Sequence, residues 1–338
     1  MTRIRTGLCA AVFVLSLVAL MGADQEEPAA APAPDDPKPL DYEMWETARP
    51  GEFTGYNLRA NLLQRGRTVY DKYCVGCHGE MGDGKGPAAV RLQTQPRDFT
   101  RGIYKFRSTD SGSLPLESDL YRTITHGLSR VSMPAFPLMP ESDKLAVIEY
   151  IKGFYANWEA EKGRRNLVPV PLPPGDLDER ERVLRGRVVY LEMQCSQCHG
   201  IDGNGTGATR TEYVDAWGNE QKPFNFTRGS LKGGNAPEDI YRTFHTGLRS
   251  IMPAYGGDTL ALATRETYEG RKQTLDPEEI SALEAVVGQF PQNGAAVYEM
   301  GEGERQNLVR RNSWDLVAYI LSLRTRATTA QAVLGAAR

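Results

Sequence analysis

Cys74-Val75-Gly76-Cys77-His78 and Cys195-Ser196-Gln197-Cys198-His199 are two copies of one motif, Cys-x-x-Cys-His, in a chain of 338 residues. The motif is the attachment signature of c-type haem: its two thiols add to the vinyl groups, and the adjacent histidine ligates the iron. Each copy is followed downstream by a Met-Pro, at Met133-Pro134 and Met252-Pro253. A methionine sulfur is a common sixth ligand of such an iron. The pattern therefore predicts two covalently bound haem c groups. Cys74, Cys77, Cys195 and Cys198 are the attachment points; His78, Met133, His199 and Met252 are the iron ligands.

The other uses of Cys-x-x-Cys fit less well. Of the five cysteines only Cys9 lies outside the motifs, so the mature chain has no thiol for a disulfide framework. A four-cysteine zinc site gives no reason for a histidine directly after each pair. A thioredoxin-like redox pair belongs at a helix start in a βαβ unit, and no strand pattern precedes either motif.

Around the motifs the chain repeats itself. Arg65-Gly66-Arg67-Thr68-Val69-Tyr70 returns as Arg185-Gly186-Arg187-Val188-Val189-Tyr190, and a Gly-rich loop follows each motif. Asp98-Phe99-Thr100-Arg101-Gly102 returns as Asn225-Phe226-Thr227-Arg228-Gly229, and Asp119-Leu120-Tyr121-Arg122-Thr123 as Asp239-Ile240-Tyr241-Arg242-Thr243. Met133-Pro134-Ala135-Phe136 returns as Met252-Pro253-Ala254-Tyr255. Each copy is the size of a small domain, which predicts domains at 59–156 and 179–326 joined by a Pro-rich linker at 157–178. The second carries an insertion at 256–312. In it Asp276-Pro277-Glu278-Glu279 is a helix start, with an N-cap, proline in the first turn and acids at the positive dipole end; the helix is expected to reach about Gln289 and to form a lid or docking surface.

Apolar spacing predicts helices over 62–73, 143–155 and 315–323. No alternating run long enough for a sizeable sheet appears. The fold class expected is mainly α.

At the N-terminus Arg3 and Arg5 precede an apolar run from Leu8 to Met21, then Ala23. This is a secretory signal over 1–23. The run is short for a membrane span of roughly 20 residues. Met21 is nonetheless a poor residue for a cleavage site, so retention as an anchor stays open beside cleavage. Residues 24–40 are rich in Ala, Pro and acid, and the segment 24–58 reads as an extended tether or, equally, as a spacer left after the signal.

The order of parts over about 60–325 resembles the class I cytochrome c family in tandem, on Cys74, Cys77, His78 and Met133 and on Cys195, Cys198, His199 and Met252. The resemblance implies two helical haem domains, each with an N-terminal helix crossing a C-terminal one. Gly66 and Tyr70 would then approach Tyr150 and Ile151, and Gly186 and Tyr190 would approach Tyr319 and Ile320. It also implies a proline soon after the motif that turns its carbonyl to the histidine. Pro87 holds that place in unit one, whereas unit two has Gly207-Ala208.

Met139 competes with Met133, and Met300 is a distant rival of Met252. His126 and His245 could in principle replace methionine and give a lower-potential haem, but they do not occupy one repeated slot.

The chain is mildly acidic, net −3. It has no basic run that would suit nucleic acid; Arg97, Arg101, Lys105 and Arg107 could face haem propionates or a partner, but for any one of them a solvated face is the expectation. The function expected is that of a periplasmic dihaem electron carrier in a respiratory chain, with a redox protein or membrane respiratory complex as partner. The alternatives are a cytochrome subunit of a larger oxidoreductase, a dihaem peroxidase that would need His126 or His245 at the iron, and, last, a haem-based sensor.

Overall fold

The computed structural model describes residues 58–335, apart from 210–213, 216, 217, 219 and 250, with the backbone alone from 325 onward. The expected signal segment and tether at 1–57, and with them the question of an anchor, lie outside the described residues. Among the described residues the regular structure is helical, with three isolated β-bridges and no strand. No described helix is long and apolar enough to cross a membrane.

Two apolar cores divide the molecule. The first is built on α1 (Leu58–Tyr73), α2 (Val75–His78), α3 (Glu117–His126) and α4 (Glu141–Lys152). It holds Val69, Tyr70, Phe99, Tyr104, Ile124, Val147 and Ile148. α1 crosses α4 where Gly66 lies directly against the carbonyl of Ala146, a space that a Cβ would fill. That approach sets Tyr70 against Tyr150 and Phe154, with ring centroids 5.3 and 5.2 Å apart.

The second core rests on α6 (Arg180–Glu192), α7 (Cys195–His199), α8 (Pro237–Thr246) and the long terminal helix. Gly186 lies in the same way against the carbonyl of Asp315, and Tyr190 meets Tyr319 at 5.1 Å. Val188, Val189 and Val317 are wholly buried there, each contributing about 1.5–3 kcal/mol. The expected crossings with Tyr150 and Tyr319 are thus present in both units.

The 256–312 segment is not a lid. It forms α9 (Arg265–Arg271), α10 (Pro277–Val287), α11 (Gly294–Glu299) and the first turns of α12 (Glu302–Gly335). Its Leu260, Ala263, Tyr268, Leu283, Val286 and Val297 are fully buried members of the second core. α10 packs on α6, and Asp276 caps it by accepting from Glu279 N–H at 2.8 Å. The terminal helix thus begins well before the expected 315.

The Pro-rich linker is docked over its first half. α5 (Trp158–Glu161) places Trp158 in the first core. Arg165 pairs with Glu117 at 3.0 Å, and Val168 N–H donates to the Ser108 carbonyl at 2.8 Å.

Polar contacts join the two units. Arg122 meets Asp239 at 2.9 Å, and Lys105 meets Asp215 at 3.1 Å. Arg107 donates to the Thr246 carbonyl at 2.7 Å, and Arg249 to that of Gly112 at 3.2 Å. Arg107 is 1% exposed and the Lys105 side chain 12%, so neither occupies the solvated face expected of it: both fill the seam between the units.

Candidate functional site

Cys74 caps α2, and Cys77 and His78 lie on it; Cys195, Cys198 and His199 lie on α7. The short helix follows from the motif, because one turn puts both thiols and the histidine on a single loop of backbone. The cysteines are half-buried and unpaired by disulfides. Burial pushes the Cys74 and Cys195 thiols up to about 12. A redox dithiol needs the opposite, a depressed pKa.

Both histidines are held identically. His78 Nδ1 lies 2.9 Å from the carbonyl of Arg97, and His199 Nδ1 lies 2.8 Å from that of Phe224. A carbonyl can only accept, so each Nδ1 carries the hydrogen and each Nε2 keeps its lone pair for a metal. Burial lowers the pKa of both imidazoles and favours that neutral form. The partner is therefore not the carbonyl of Pro87, which is exposed. The acceptors instead belong to Pro96-Arg97-Asp98-Phe99 and Pro223-Phe224-Asn225-Phe226, so the absence of proline at 207–208 costs unit two nothing.

The same segments stack a phenylalanine on each histidine, Phe99 on His78 at 4.5 Å and Phe226 on His199 at 4.4 Å. Asp98 and Asn225 set the turn: each accepts from the backbone N–H two residues on, at 2.9 Å in both cases. Tyr70 and Tyr190 donate to the carbonyls of Gly79 and Gly200, each at 2.7 Å. The Phe-Thr-Arg-Gly repeat was visible in the sequence; its role as the histidine's cradle was not.

The methionine loops also correspond. Leu128 N–H donates to the Met133 carbonyl at 3.1 Å, and Leu248 N–H to that of Met252 at 2.9 Å. Phe136 and Tyr255 N–H then return to the carbonyls of Ile124 and Phe244. Met139 packs on the first core. Met300 lines a surface cavity with Phe290, Pro291 and Leu308. His126 is exposed, whereas His245 is buried, with Nε2 2.9 Å from Ser313 Oγ and its ring on Tyr241 at 4.2 Å.

Residues 61–151 and 181–267, together more than half of the chain, match the model of the family described as cytochrome c oxidase, cbb3-type, subunit III. The chain belongs to this family. Its two units are cytochrome c domains in tandem, the class of domain that carries covalent haem c and transfers electrons. A chain of the solved reducing HAO-like protein complex of Kuenenia stuttgartiensis is 32% identical, with a TM-score of 0.57, over 77% of this chain and 96% of that one. No curated protein sequence matches the chain significantly.

The donor set of each cytochrome c domain fits a haem: two thiols, a neutral imidazole with a free Nε2 and a methionine loop. Tyr104 Oη and Trp158 Nε1 are buried without a hydrogen-bond partner in the first domain, as is Trp314 Nε1 in the second. Buried polar groups of this kind are rare unless a ligand completes them.

Proposed function

We propose that the chain carries two haem c groups and serves as the cytochrome subunit of an exported oxidoreductase complex, passing electrons to or from a partner protein. The observation that carries the two-haem reading is the residue-for-residue equivalence of the two cradles: Arg97 with Phe224 as acceptors, and Phe99 with Phe226 as stacking rings.

A bound haem c supplies a one-electron iron couple. The protein's part is to fix ligands and surroundings. Cys74, Cys77, Cys195 and Cys198 would hold the two groups. His78 and His199 would each present a neutral Nε2, and Met133 and Met252 would complete the coordination. Phe99 and Phe226 restrain the imidazole planes and exclude water.

The subunit reading is favoured over a free carrier because the solved relative comes from a complex. Export is supported by the signal pattern at 1–23 and by haem attachment outside the bacterial cytoplasm; the same reasoning places the protein in the periplasm. A peroxidase is disfavoured because both units keep a Met-Pro, at Met133 and Met252, and because His245 Nε2 is bonded to Ser313. Haem content per chain by mass, together with affinity purification of the tagged chain from its own cells, tests the proposal. Two haems and a stoichiometric second protein are expected; one haem, or a chain that purifies alone from gently lysed cells, contradicts it.

A further inference from the structure

We propose that the first domain completes the haem site of the second: Arg107 and Arg130 are positioning residues for the second haem's two axial ligands, Arg107 through the Met252 loop and Arg130 through the cradle of His199. The inference rests on the two-haem reading above.

Arg107 is 1% exposed. Its guanidinium donates to three backbone carbonyls: Asp110 at 3.0 Å and Tyr104 at 3.1 Å in its own domain, and Thr246 at 2.7 Å in the other. Thr246 is the last residue of α8, where carbonyls lack helical partners and a cation is favoured. The Met252 loop starts at that point. Gly247 turns the chain with φ of 67°, and a Cβ on it would lie 2.8 Å from the Met252 carbonyl oxygen. Leu248 and Met252 then exchange both backbone hydrogen bonds, at 2.9 and 3.0 Å. A buried guanidinium from outside the domain thus holds the root of the ligand loop. A second bond ties the loop itself, where Arg249 donates to the Gly112 carbonyl at 3.2 Å.

Both contacts use a segment that the repeat does not reproduce. Asp119 follows Phe99 by 20 residues, whereas its counterpart Asp239 follows Phe226 by 13. Counted from the same phenylalanines, the place of Arg107 falls to Gly234. The extra length is braced by the linker: Thr109 bridges Leu167, and Asp110 N–H donates to the Asn166 carbonyl at 3.0 Å. The arm from the first domain to the second therefore has no sequence counterpart running the other way.

Arg130 reaches the other ligand. It sits in the loop of Met133 with φ of 62°, a backbone region that residues with a side chain seldom occupy and that clusters at functional sites. Its side chain leaves that loop for the second domain. It donates to the Arg228 carbonyl at 2.6 Å, lies over the Phe224 ring at 5.8 Å, and packs on Gly229, where a Cβ would lie 2.7 Å from Nη1. Phe224 gives its carbonyl to His199 Nδ1, and Phe226 of the same turn stacks on the His199 ring. Arg130 thus braces the turn that fixes the orientation of His199, a kind of outer support that tunes a metal through its ligand.

The test is electron paramagnetic resonance and potentiometric titration of the full-length holoprotein, after its haem content is counted by mass. Fewer than two haems sinks the two-haem reading itself. With two haems present, each gives a low-spin signal, and Met252→Ala marks that of the second haem by removing it. Should Met252→Ala spare both signals, Met252 is not the ligand and the role given to Arg107 falls with it. Arg107→Gln is expected to turn part of the second haem high-spin. It should also lower that haem's midpoint by up to tenfold in the reduction equilibrium, or about 59 mV for one electron, because loss of methionine ligation lowers the potential. Arg249→Gln is expected to do the same to a smaller extent. Arg130→Gln is expected to shift the g-values of the second haem and leave those of the first, although Arg130 stands three residues from Met133; Arg130→Lys should recover most of that shift. The inference is overturned if Arg130→Gln spares the second haem's signal or alters the first haem's. It is also overturned if the Arg107 and Arg249 variants lose thermal stability while both signals and midpoints stay put. Arg130 is exposed, so its two variants decide the matter even if Arg107→Gln fails to mature.

Discussion

The ring of Phe99 lies on the ring of His78 at a centroid separation of 4.5 Å and an angle of 20°. With Nδ1 tied to Arg97, the imidazole can neither flip nor tilt, and the iron-binding nitrogen is fixed before a metal arrives. Phe99 is also a buried member of the first core. Phe99→Ala should therefore cost about 3–5 kcal/mol, read as an earlier unfolding transition for the first domain of the holoprotein, with the second domain's transition unchanged.

The corresponding loops around Met133 and Met252 predict separate ligand losses. Met133→Ala and Met252→Ala should each remove about half of the near-infrared methionine–iron absorption and turn one haem high-spin. Met139→Ala, which removes only a side chain packed on the core, should leave the absorption whole while costing about 2–5 kcal/mol. Loss of the band in Met139→Ala instead would reassign the ligand.

Asp315 is wholly buried and held by Arg182 and Arg185, each at 2.7 Å. It also sits at the point where α6 crosses α12. Asp315→Ala removes the buried carboxylate shared by two guanidinium groups, leaving them only the more exposed carboxylates of Asp176 and Glu181, and should cost about 1–3 kcal/mol. The pair of Arg65 with Asp143 at 2.5 Å is far more exposed, and Asp143→Ala should cost about 0–1 kcal/mol. Denaturant unfolding of the two variants side by side separates the cases.

Burial holds the His245 pKa down at about 4, against an ordinary value of 6.5. Between those values the unfolded chain binds a proton that the folded chain does not. Stability is therefore complete above pH 6.5 and falls as the pH drops toward 4, by roughly 3 kcal/mol at about 1.4 kcal/mol per unit. His245→Gln, which can still bond Ser313, should flatten that acid limb in melting curves taken between pH 7 and pH 4. An unchanged slope would mean that another group titrates there.

The sequence made the haem motifs, the repeat and the helical class legible, because those signals are local. Cys74 to His78 carries its chemistry in five consecutive residues. The close helix contacts at Gly66 and Gly186 were expected only through the resemblance to the class I cytochrome c family. The histidine acceptors could not be read in this way. The expected Pro87 lies nearer in sequence, but the backbone path brings Arg97 and Phe224 to the ring. The insertion offered polar helix signals and hid its buried face, since Leu260, Tyr268 and Leu283 show their burial only once α6 lies against them. Arg107 and Lys105 looked like surface charge because nothing in one unit's sequence reports that the other unit covers it.

The most direct test of the account is a redox titration of the purified holoprotein, followed by visible and near-infrared absorption, with peroxide added at the end. Two one-electron transitions from six-coordinate haems, both with the methionine–iron band and both inert to peroxide, are predicted. A single haem, or one high-spin haem that consumes peroxide, would contradict the electron-transfer reading.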